Sequence, residues 1–248
     1  MEALQQSTVG NLLLRYCEPR DFDILKPHLR RRNLPTHTVV VRPNEPIEHV
    51  YFPEGCVVSI VADESGDKVE VGLVGYEGMS GTAVLLDAGQ SPQASMVQIN
   101  GSPALEIASE QLVQACDASP TLRKLFLRFV QSLNVQAAST AAANSSFALP
   151  ERLARWLLMC HDRVDGDQLE LTHEFMSMML GVRRSSVTLT LHTLEGTRAI
   201  RGTRGWITVL DRQRLEEIAG DSYGEPENEY RRLVGPYGKG KHVLRTVA

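Results

Sequence analysis

The spacing of apolar residues divides the chain into a β-rich first part and a helical second part. Residues 11–33 carry a partial helical stripe, which consists of Leu12, Leu13, Phe22, Leu25 and Leu29. Between residues 38 and 107, short β-prone runs alternate with turn signals such as Pro53-Glu54-Gly55. Many short strands at this spacing predict an antiparallel sandwich or barrel.

The period changes near residue 120. Ser119 and Pro120 predict the start of a helix that continues to about residue 144. Its apolar residues follow at steps of four, three, four and four, close to a coiled-coil seam: Leu122, Phe126, Phe129, Leu133 and Ala137. Such a stripe needs a partner. We expect a dimer seam, and the alternative is a helix that lies on its own β-domain.

A second pattern follows a further helix that Pro150 opens. Thr172 predicts an N-cap before a helix through Leu180, and Gly181 can end that helix because it adopts positive φ without steric cost. Residues 183–194 then predict a second helix whose inward face is Val187, Leu191 and Leu194. Helix, glycine turn and helix together indicate a helix-turn-helix motif, which sets its second helix in the DNA major groove.

Two short strands are expected next. Residues 199–201 and 206–209 flank Gly202-Thr203-Arg204-Gly205, which predicts a hairpin wing. Arg201 and Arg204 would reach phosphates beside the groove.

The distribution of charge along the chain supports the assignment of the same region to DNA binding. The chain as a whole is mildly acidic at −4, and residues 1–147 carry 11 basic against 16 acidic side chains. Residues 181–214 instead hold seven arginines against Glu195 and Asp211, a net of 7 − 2 = +5. A basic island in an acidic protein indicates a polyanion-binding face, with an ordinary arginine-rich surface as the alternative.

The stretch LTHEFMSMMLGVRRSSVTLTLHTLEGTRAI with RGWITVLD behind it, and the β-rich segment HVYFPEGCVVSIVADESGDKVEVGLVGYEGMSG, resemble the Crp/Fnr family of transcription regulators. The resemblance implies an α+β chain: an antiparallel, jelly-roll-like β-roll of cyclic-nucleotide-binding type, a long dimerisation helix and a winged helix-turn-helix. We expect a β-roll over 1–118, the dimer helix and hinge over 119–147, the winged helix over 148–222 and a tail over 223–248.

The resemblance also assigns the DNA-binding residues. Arg184 stands where the family commonly has a guanine-reading arginine, but Ser185 and Leu189 stand where a glutamate and a second arginine are typical. The operator should therefore differ from the best-known family consensus. The expected contact residues are Thr172, Arg183, Arg184, Ser185, Ser186, Thr188, Leu189, His192, Arg201 and Arg204.

Family members that bind cyclic nucleotides hold the ribose with Gly-Glu and the phosphate with Arg-Ser. The corresponding positions here are Gly81-Thr82 and Gln93-Ala94, and no Arg or Lys lies between residues 68 and 123. A buried phosphate needs cations or many donors, so we predict weak or no binding of cyclic AMP. The four cysteines, Cys17, Cys56, Cys116 and Cys160, lack iron–sulfur spacing and are expected to be buried thiols. No cofactor or metal is predicted, and the effector is unknown.

Rival functions have weaker support. No nucleophile elbow, zincin motif or calcium loop is complete, which argues against an enzyme. No apolar run reaches 18 residues, so we expect no membrane span and a cytoplasmic protein. The expected partners are double-stranded DNA and a second copy of the chain, with RNA polymerase as a further candidate. The alternative is a ligand-sensing or scaffold protein whose winged helix binds protein. The regulated genes and the sign of regulation do not follow from the sequence.

Overall fold

The structure is a computed structural model that describes residues 4–64, 66–99 and 102–239. It is a mixed fold of helices and antiparallel sheets, as predicted. The strands of the first part are β1 (Arg30–Leu34), β2 (Val39–Val41), β3 (His49–Pro53), β4 (Val57–Glu64), β5 (Asp67–Val74), β6 (Ala94–Ile99) and β7 (Ser102–Ala108). The helices that precede and follow them are α1 (Leu12–Tyr16), α2 (Pro19–Leu25), α3 (Ser109–Ala118) and α4 (Pro120–Ser146).

The strands form two antiparallel sheets, ordered β1-β7-β3 and β2-β6-β4-β5. The first strand corrects the sequence analysis, which assigned residues 11–33 to helical pieces. Residues 30–34 pair with β7 as an edge strand whose arginines are exposed, and Arg32 forms an ion pair with Glu106. Long charged side chains on an edge strand leave no apolar alternation to identify it. Helix α3 was also not predicted.

Helix α4 begins where Ser119 and Pro120 predict it, and the Ser119 hydroxyl accepts a hydrogen bond from the Leu122 amide. Its apolar stripe does not form a free seam. Leu122, Phe126 and Phe129 are buried in the chain's own core, where the Phe126 ring lies 5.9 Å from that of Phe52. The dimer seam predicted from these residues is therefore wrong for these three, because the β-roll covers them. Leu133 and Ala137 lie beside a cavity described below.

Gln136 interrupts the apolar spacing of α4 for a structural reason. Its side chain is buried, accepts a hydrogen bond from the Leu73 amide at 2.7 Å and donates one to the Leu73 carbonyl at 3.2 Å. The carboxamide thus pairs with the backbone of β5 as a neighbouring strand would. This contact fixes the middle of α4 against the β-roll.

The second part contains α5 (Leu149–His161), β8 (Gln168–Glu170), α6 (His173–Leu180), α7 (Arg184–Gly196), β9 (Ile200–Thr203), β10 (Trp206–Val209), α8 (Arg212–Ala219) and α9 (Glu225–Leu233). The three strands form a small antiparallel sheet in the order β8-β10-β9. One apolar core joins this part to the β-roll, since Val61 and Leu73 of the β-roll lie in the same cluster as Leu157 and Met176.

The segment after residue 222, which the sequence analysis assigned to a tail, adds structure that was not predicted. Helix α9 packs on α4, and Tyr230 and Tyr237 are buried in the core of the β-roll part. The Tyr230 hydroxyl donates to the Glu77 carbonyl at 2.6 Å, and the Tyr16 hydroxyl donates to the Pro236 carbonyl. Residues 223–239 therefore fold back onto the first part of the chain. Residues 240–248 lie outside the described part.

Candidate nucleic-acid interface

The helix-turn-helix geometry follows from two local signals. The Thr172 hydroxyl accepts a hydrogen bond from the Phe175 amide at 3.1 Å and caps α6. Gly181 ends that helix at φ 61°, ψ 41°, a left-handed conformation that glycine adopts readily. Helix α7 then starts at Arg184, and Val187, Leu191 and Leu194 are buried beneath it. The sequence prediction of this motif is confirmed.

The outer face of α7 is open to solvent. Arg183, Arg184, Ser185 and His192 are exposed, and Leu189 is 69% exposed although it is apolar. Within the described part of the chain, the Arg184 guanidinium has only a long contact of 3.9 Å to the exposed Glu174 carboxylate. An ion pair at that distance in solvent contributes little, so the guanidinium can leave it for another acceptor at small cost. We call α7 the recognition helix.

Two expected contact residues are less accessible. Ser186 is half-buried, and the Thr188 hydroxyl donates to the Arg184 carbonyl at 3.1 Å and lies 2.9 Å from Nδ1 of His173. The second contact joins α6 to the recognition helix. Thr188 is therefore placed to hold the two helices together, a role that its position on the outward face did not indicate.

The wing is β9, β10 and the turn between them, in which Gly205 adopts φ 80°. Arg201 and Arg204 are both exposed on it. Glu195 fixes the wing to the recognition helix, because its Oε1 accepts a hydrogen bond from the Gly202 amide at 2.6 Å. In the sequence Glu195 is recognisable only as a negative charge, and no local pattern marks its contact with the wing.

The basic island is smaller than the sequence count. Arg212 is turned inward with its side chain 15% exposed, and it forms ion pairs with Asp162 and Glu216 at 2.8 Å each. Arg214 remains exposed, although its guanidinium donates to the Thr197 carbonyl. Exposed arginines are thus found on the recognition helix and the wing, together with Arg198 and Arg214. This distribution strengthens the assignment of the region as an anion-binding face.

Buried acidic groups join this domain to the β-roll. Glu70 of β5 accepts hydrogen bonds from the Trp156 indole of α5 at 2.7 Å and from the Ser59 hydroxyl at 2.5 Å. Burial raises the pKa of the Glu70 carboxyl to about 7, although both hydrogen bonds lower it. Glu77 and Arg163 form a second buried pair at 2.8 Å. Burial alone would lower the pKa of Arg163, but Glu77 and other acidic neighbours hold it well above its usual value.

A separate cavity of about 270 Å³ lies between the β-roll and α4. Three of the four residues expected at an effector site line it, namely Gly81, Thr82 and Gln93. Ala94 is not among the lining residues, and Ser95, one position further along β6, lines the cavity instead. Gly81 needs its positive φ of 89° and lies close to Ile47, so a side chain would not fit there easily.

Across residues 4–64, 66–99 and 102–239, no three His, Cys, Asp or Glu side chains are grouped so that they could hold a metal ion. The four cysteines are all buried, in agreement with the prediction. Among the helices described, none has the length and apolar character that a bilayer span requires.

Comparison with known proteins agrees with this geometry. Residues 151–218 match the family model of the Crp-like helix-turn-helix domain. No curated protein sequence matches the chain. FixK2 from Bradyrhizobium japonicum superposes with a TM-score of 0.65 at 17% identity, covering 77% of this chain and 98% of its own.

Two regulators superpose in the same way. A CRP-family transcriptional regulator from Thermus thermophilus gives a TM-score of 0.63 at 19% identity over 79% of this chain and 98% of its own. The c-di-GMP responsive global regulator CLP from Xanthomonas campestris gives 0.62 at 18% identity over 77% and 99%. At these identities the likeness establishes the fold, and the last two of these neighbours are described as regulators.

Proposed function

Because the chain has the fold of the Crp/Fnr transcription regulators and carries a Crp-like helix-turn-helix domain, we propose that it is a sequence-specific DNA-binding regulator that acts as a homodimer. The observation that carries the proposal is the solvent-exposed outer face of the recognition helix, with Arg183 and Arg184 at its start and the arginines of the wing beside it. We assign no catalytic role to any residue.

The residue types on this face support distinct roles. Arg184 would donate two hydrogen bonds to a guanine in the major groove, and Leu189 would contact a thymine methyl group. Arg201 and Arg204 on the wing would neutralise phosphates without reading sequence. Arg183, Ser185 and His192 are further candidates for base or backbone contacts, and Thr172 would donate its backbone amide to a phosphate.

Binding-site selection on random duplexes, followed by affinity measurements, tests this division. We expect Arg184→Ala to relax preference at one base pair and to cost about 1–3 kcal/mol on the selected site. Arg204→Ala should weaken binding to all sequences alike. Arg20→Ala is the matched control, because it removes the same charge from an exposed position outside the domain. Equal loss across sequences for Arg184→Ala and Arg204→Ala would refute the base-reading role.

Salt dependence separates this function from the alternative of a protein-binding scaffold. If roughly 6–10 phosphates are neutralised, log affinity falls with log salt at a slope of several units. A flat response would favour the scaffold. No observation of the structure favours it.

The homodimer needs a surface on α4 that the β-roll leaves uncovered. Exposed residues follow one another along that helix at steps of four, three, four and three: Leu127, Gln131, Asn134, Ala138 and Ala141. We call this the outer stripe. The spacing is that of a coiled-coil seam, small alanines allow close approach, and a polar Asn in such a seam fixes register. Two recognition helices in such a dimer would enter successive major grooves about 34 Å apart.

Sedimentation equilibrium tests the outer stripe. We expect Ala138→Glu to make the chain monomeric at micromolar concentration, since it places like charges face to face across the seam. Ser139→Glu is the control, because it adds the same charge about 100° further round the helix. A dimer that survives Ala138→Glu as well as it survives Ser139→Glu would exclude this interface.

The signal is proposed to be something other than cyclic AMP. The cavity offers Thr82 and Gln93 where a ribose and a cyclic phosphate would need a carboxylate and an arginine. We also propose a cytoplasmic location and contact with RNA polymerase, and the likeness to transcription regulators is what supports both.

A further inference from the structure

The cavity between the β-roll and α4 has a chemical character of its own. Its wall consists largely of aliphatic side chains, such as Ile47, Ile60 and Leu133. Polar side chains without charge also line it, and these are Ser80, Thr82, Ser91, Gln93, Ser95 and Asn134. None of the described lining residues has an ionisable side chain. The volume of about 270 Å³ is just below the roughly 300–1,000 Å³ of drug-sized sites, so an occupant would be small.

Ser80 is the feature of this cavity that calls for a ligand. The residue is 3% exposed, and its hydroxyl has no hydrogen-bond partner among the described residues. Its backbone is fixed, because its amide donates to the Tyr51 carbonyl at 2.8 Å. A buried hydroxyl without a partner is costly, and few occur in native proteins. A molecule in the cavity that offers a donor or an acceptor would satisfy it.

The lining also limits the charge of that molecule. A buried carboxylate or phosphate is stabilised most strongly by a cation, and a buried cation requires an acidic partner. The lining supplies neither a cation nor an acid. An uncharged molecule pays no such penalty, and it can lie on the aliphatic wall while its polar group faces Ser80.

We propose that this cavity binds a small uncharged amphipathic molecule, which exchanges a hydrogen bond with the Ser80 hydroxyl. An effect of this bound molecule on DNA binding rests on the proposed function above. Such an effect would pass through α4, because Leu133 and Asn134 of that helix line the cavity and Asn134 belongs to the outer stripe.

Two fluorescent probes with the same ring system separate the classes of ligand. N-Phenyl-1-naphthylamine is uncharged, and 8-anilinonaphthalene-1-sulfonate adds one negative charge to the same scaffold. We expect the full-length chain to bind the uncharged probe at least tenfold more tightly. Ser80→Ala should weaken that binding about three- to tenfold through the lost hydrogen bond. Ala137→Leu should weaken it tenfold or more, because it fills the cavity.

The controls make the outcome decisive. Ala118→Leu adds the same side chain at an exposed position away from the cavity and should leave probe affinity unchanged. The inference is overturned if the uncharged probe does not bind saturably, if neither cavity variant alters its affinity, or if the sulfonate or cyclic AMP binds as tightly. DNA affinity is measured on the same preparations without probe. Absence of DNA binding by the wild-type chain would refute the proposed function. The probe measurements test ligand binding alone, so their outcome does not depend on that result.

Discussion

Glu70 allows a quantitative test of how the β-roll is joined to the DNA-binding domain. The side chain is 4% exposed and accepts hydrogen bonds from Trp156 on α5 and Ser59 on β4. Arg163 and Arg155 are the nearby cations that act on it. Burial outweighs all four neighbours and raises the pKa of the carboxyl from 4.5 to about 7. The folded chain therefore holds this proton more tightly than the unfolded chain does.

The direction of the pH effect follows from that difference. Below about pH 4.5 the carboxyl is protonated in both states and costs nothing. As pH rises towards 7, the Glu70 carboxyl ionises freely in the unfolded chain. In the folded chain burial opposes its ionisation, so the free energy of unfolding falls. Above the folded-state pKa the cost is constant at about 3 kcal/mol, which is the free-energy equivalent of the interval from 4.5 to about 7.

The perturbation is Glu70→Gln, which keeps an acceptor for the indole N–H of Trp156 and cannot ionise. We expect the variant to gain about 2–3 kcal/mol of unfolding free energy relative to the wild type between pH 5 and pH 8. Urea unfolding followed by tryptophan fluorescence at several pH values measures it. Because the gain is a difference between two chains, titration of other groups cancels.

Glu110→Gln at an exposed position is the control and should show no such trend. A difference between Glu70→Gln and wild type that stays flat from pH 5 to pH 8, or that falls, would refute the reasoning. It would mean that the carboxyl is already ionised in the folded chain at pH 5.

Three further changes test other parts of the fold. Glu77→Ala should lower the unfolding free energy by about 3–5 kcal/mol in urea titrations, because it leaves the buried charge of Arg163 unpaired. Gly181→Ala should cost about 1–2 kcal/mol, since φ is positive there and the new Cβ would lie 2.8 Å from Val69; a calorimetric melting temperature equal to wild type would contradict this. Ser119→Ala removes the cap of α4 and should cost about 0.5–2 kcal/mol by the same measurement, whereas Ser119→Thr should restore most of it.

The helix-turn-helix motif could be predicted because local signals determine it. Thr172 caps its helix, Gly181 makes the turn and three apolar residues at helical spacing face inward, all between residues 172 and 194. The residues that fix the motif in place are less visible. Glu195 holds the wing through a single hydrogen bond to a backbone amide, and a glutamate in sequence carries no sign of that contact.

The long helix shows what periodicity leaves undetermined. Its spacing correctly identified a buried stripe, but the same spacing results whether a second copy or the chain's own sheet covers it. Phe126 and Phe129 lie against the β-roll, so the uncovered positions fall on the opposite face of α4. That face, which includes Leu127 and Ala138, is not a continuous apolar stripe. The alanine, asparagine and glutamine residues of the outer stripe also follow heptad spacing, but they indicate a helix–helix contact less strongly than the large apolar residues of the buried stripe do.

The extent of the basic island and the prediction of a tail were wrong for a related reason. Neither net charge nor composition records where a side chain points in the folded chain. Arg212 added to the basic island in sequence, yet its guanidinium points inward to Asp162. The segment after residue 222 is rich in Gly, Pro and charge, but Tyr230 contacts a carbonyl 153 residues away in the chain. No window of local sequence contains such a contact, so α9 could not be placed.

Strand β5 contacts the cavity, the helix-turn-helix domain and α4. Gly72 lines the cavity, Leu73 lies in the apolar core shared with the DNA-binding domain, and Glu70 accepts the hydrogen bond of Trp156. Leu73 is also the residue whose backbone pairs with Gln136 of α4. A displacement of this strand would therefore reach α4 through the Gln136 hydrogen bonds, and it would reach the helix-turn-helix domain through Trp156 and the shared apolar core. The position of the recognition helix thus depends on three residues of one strand, Glu70, Gly72 and Leu73.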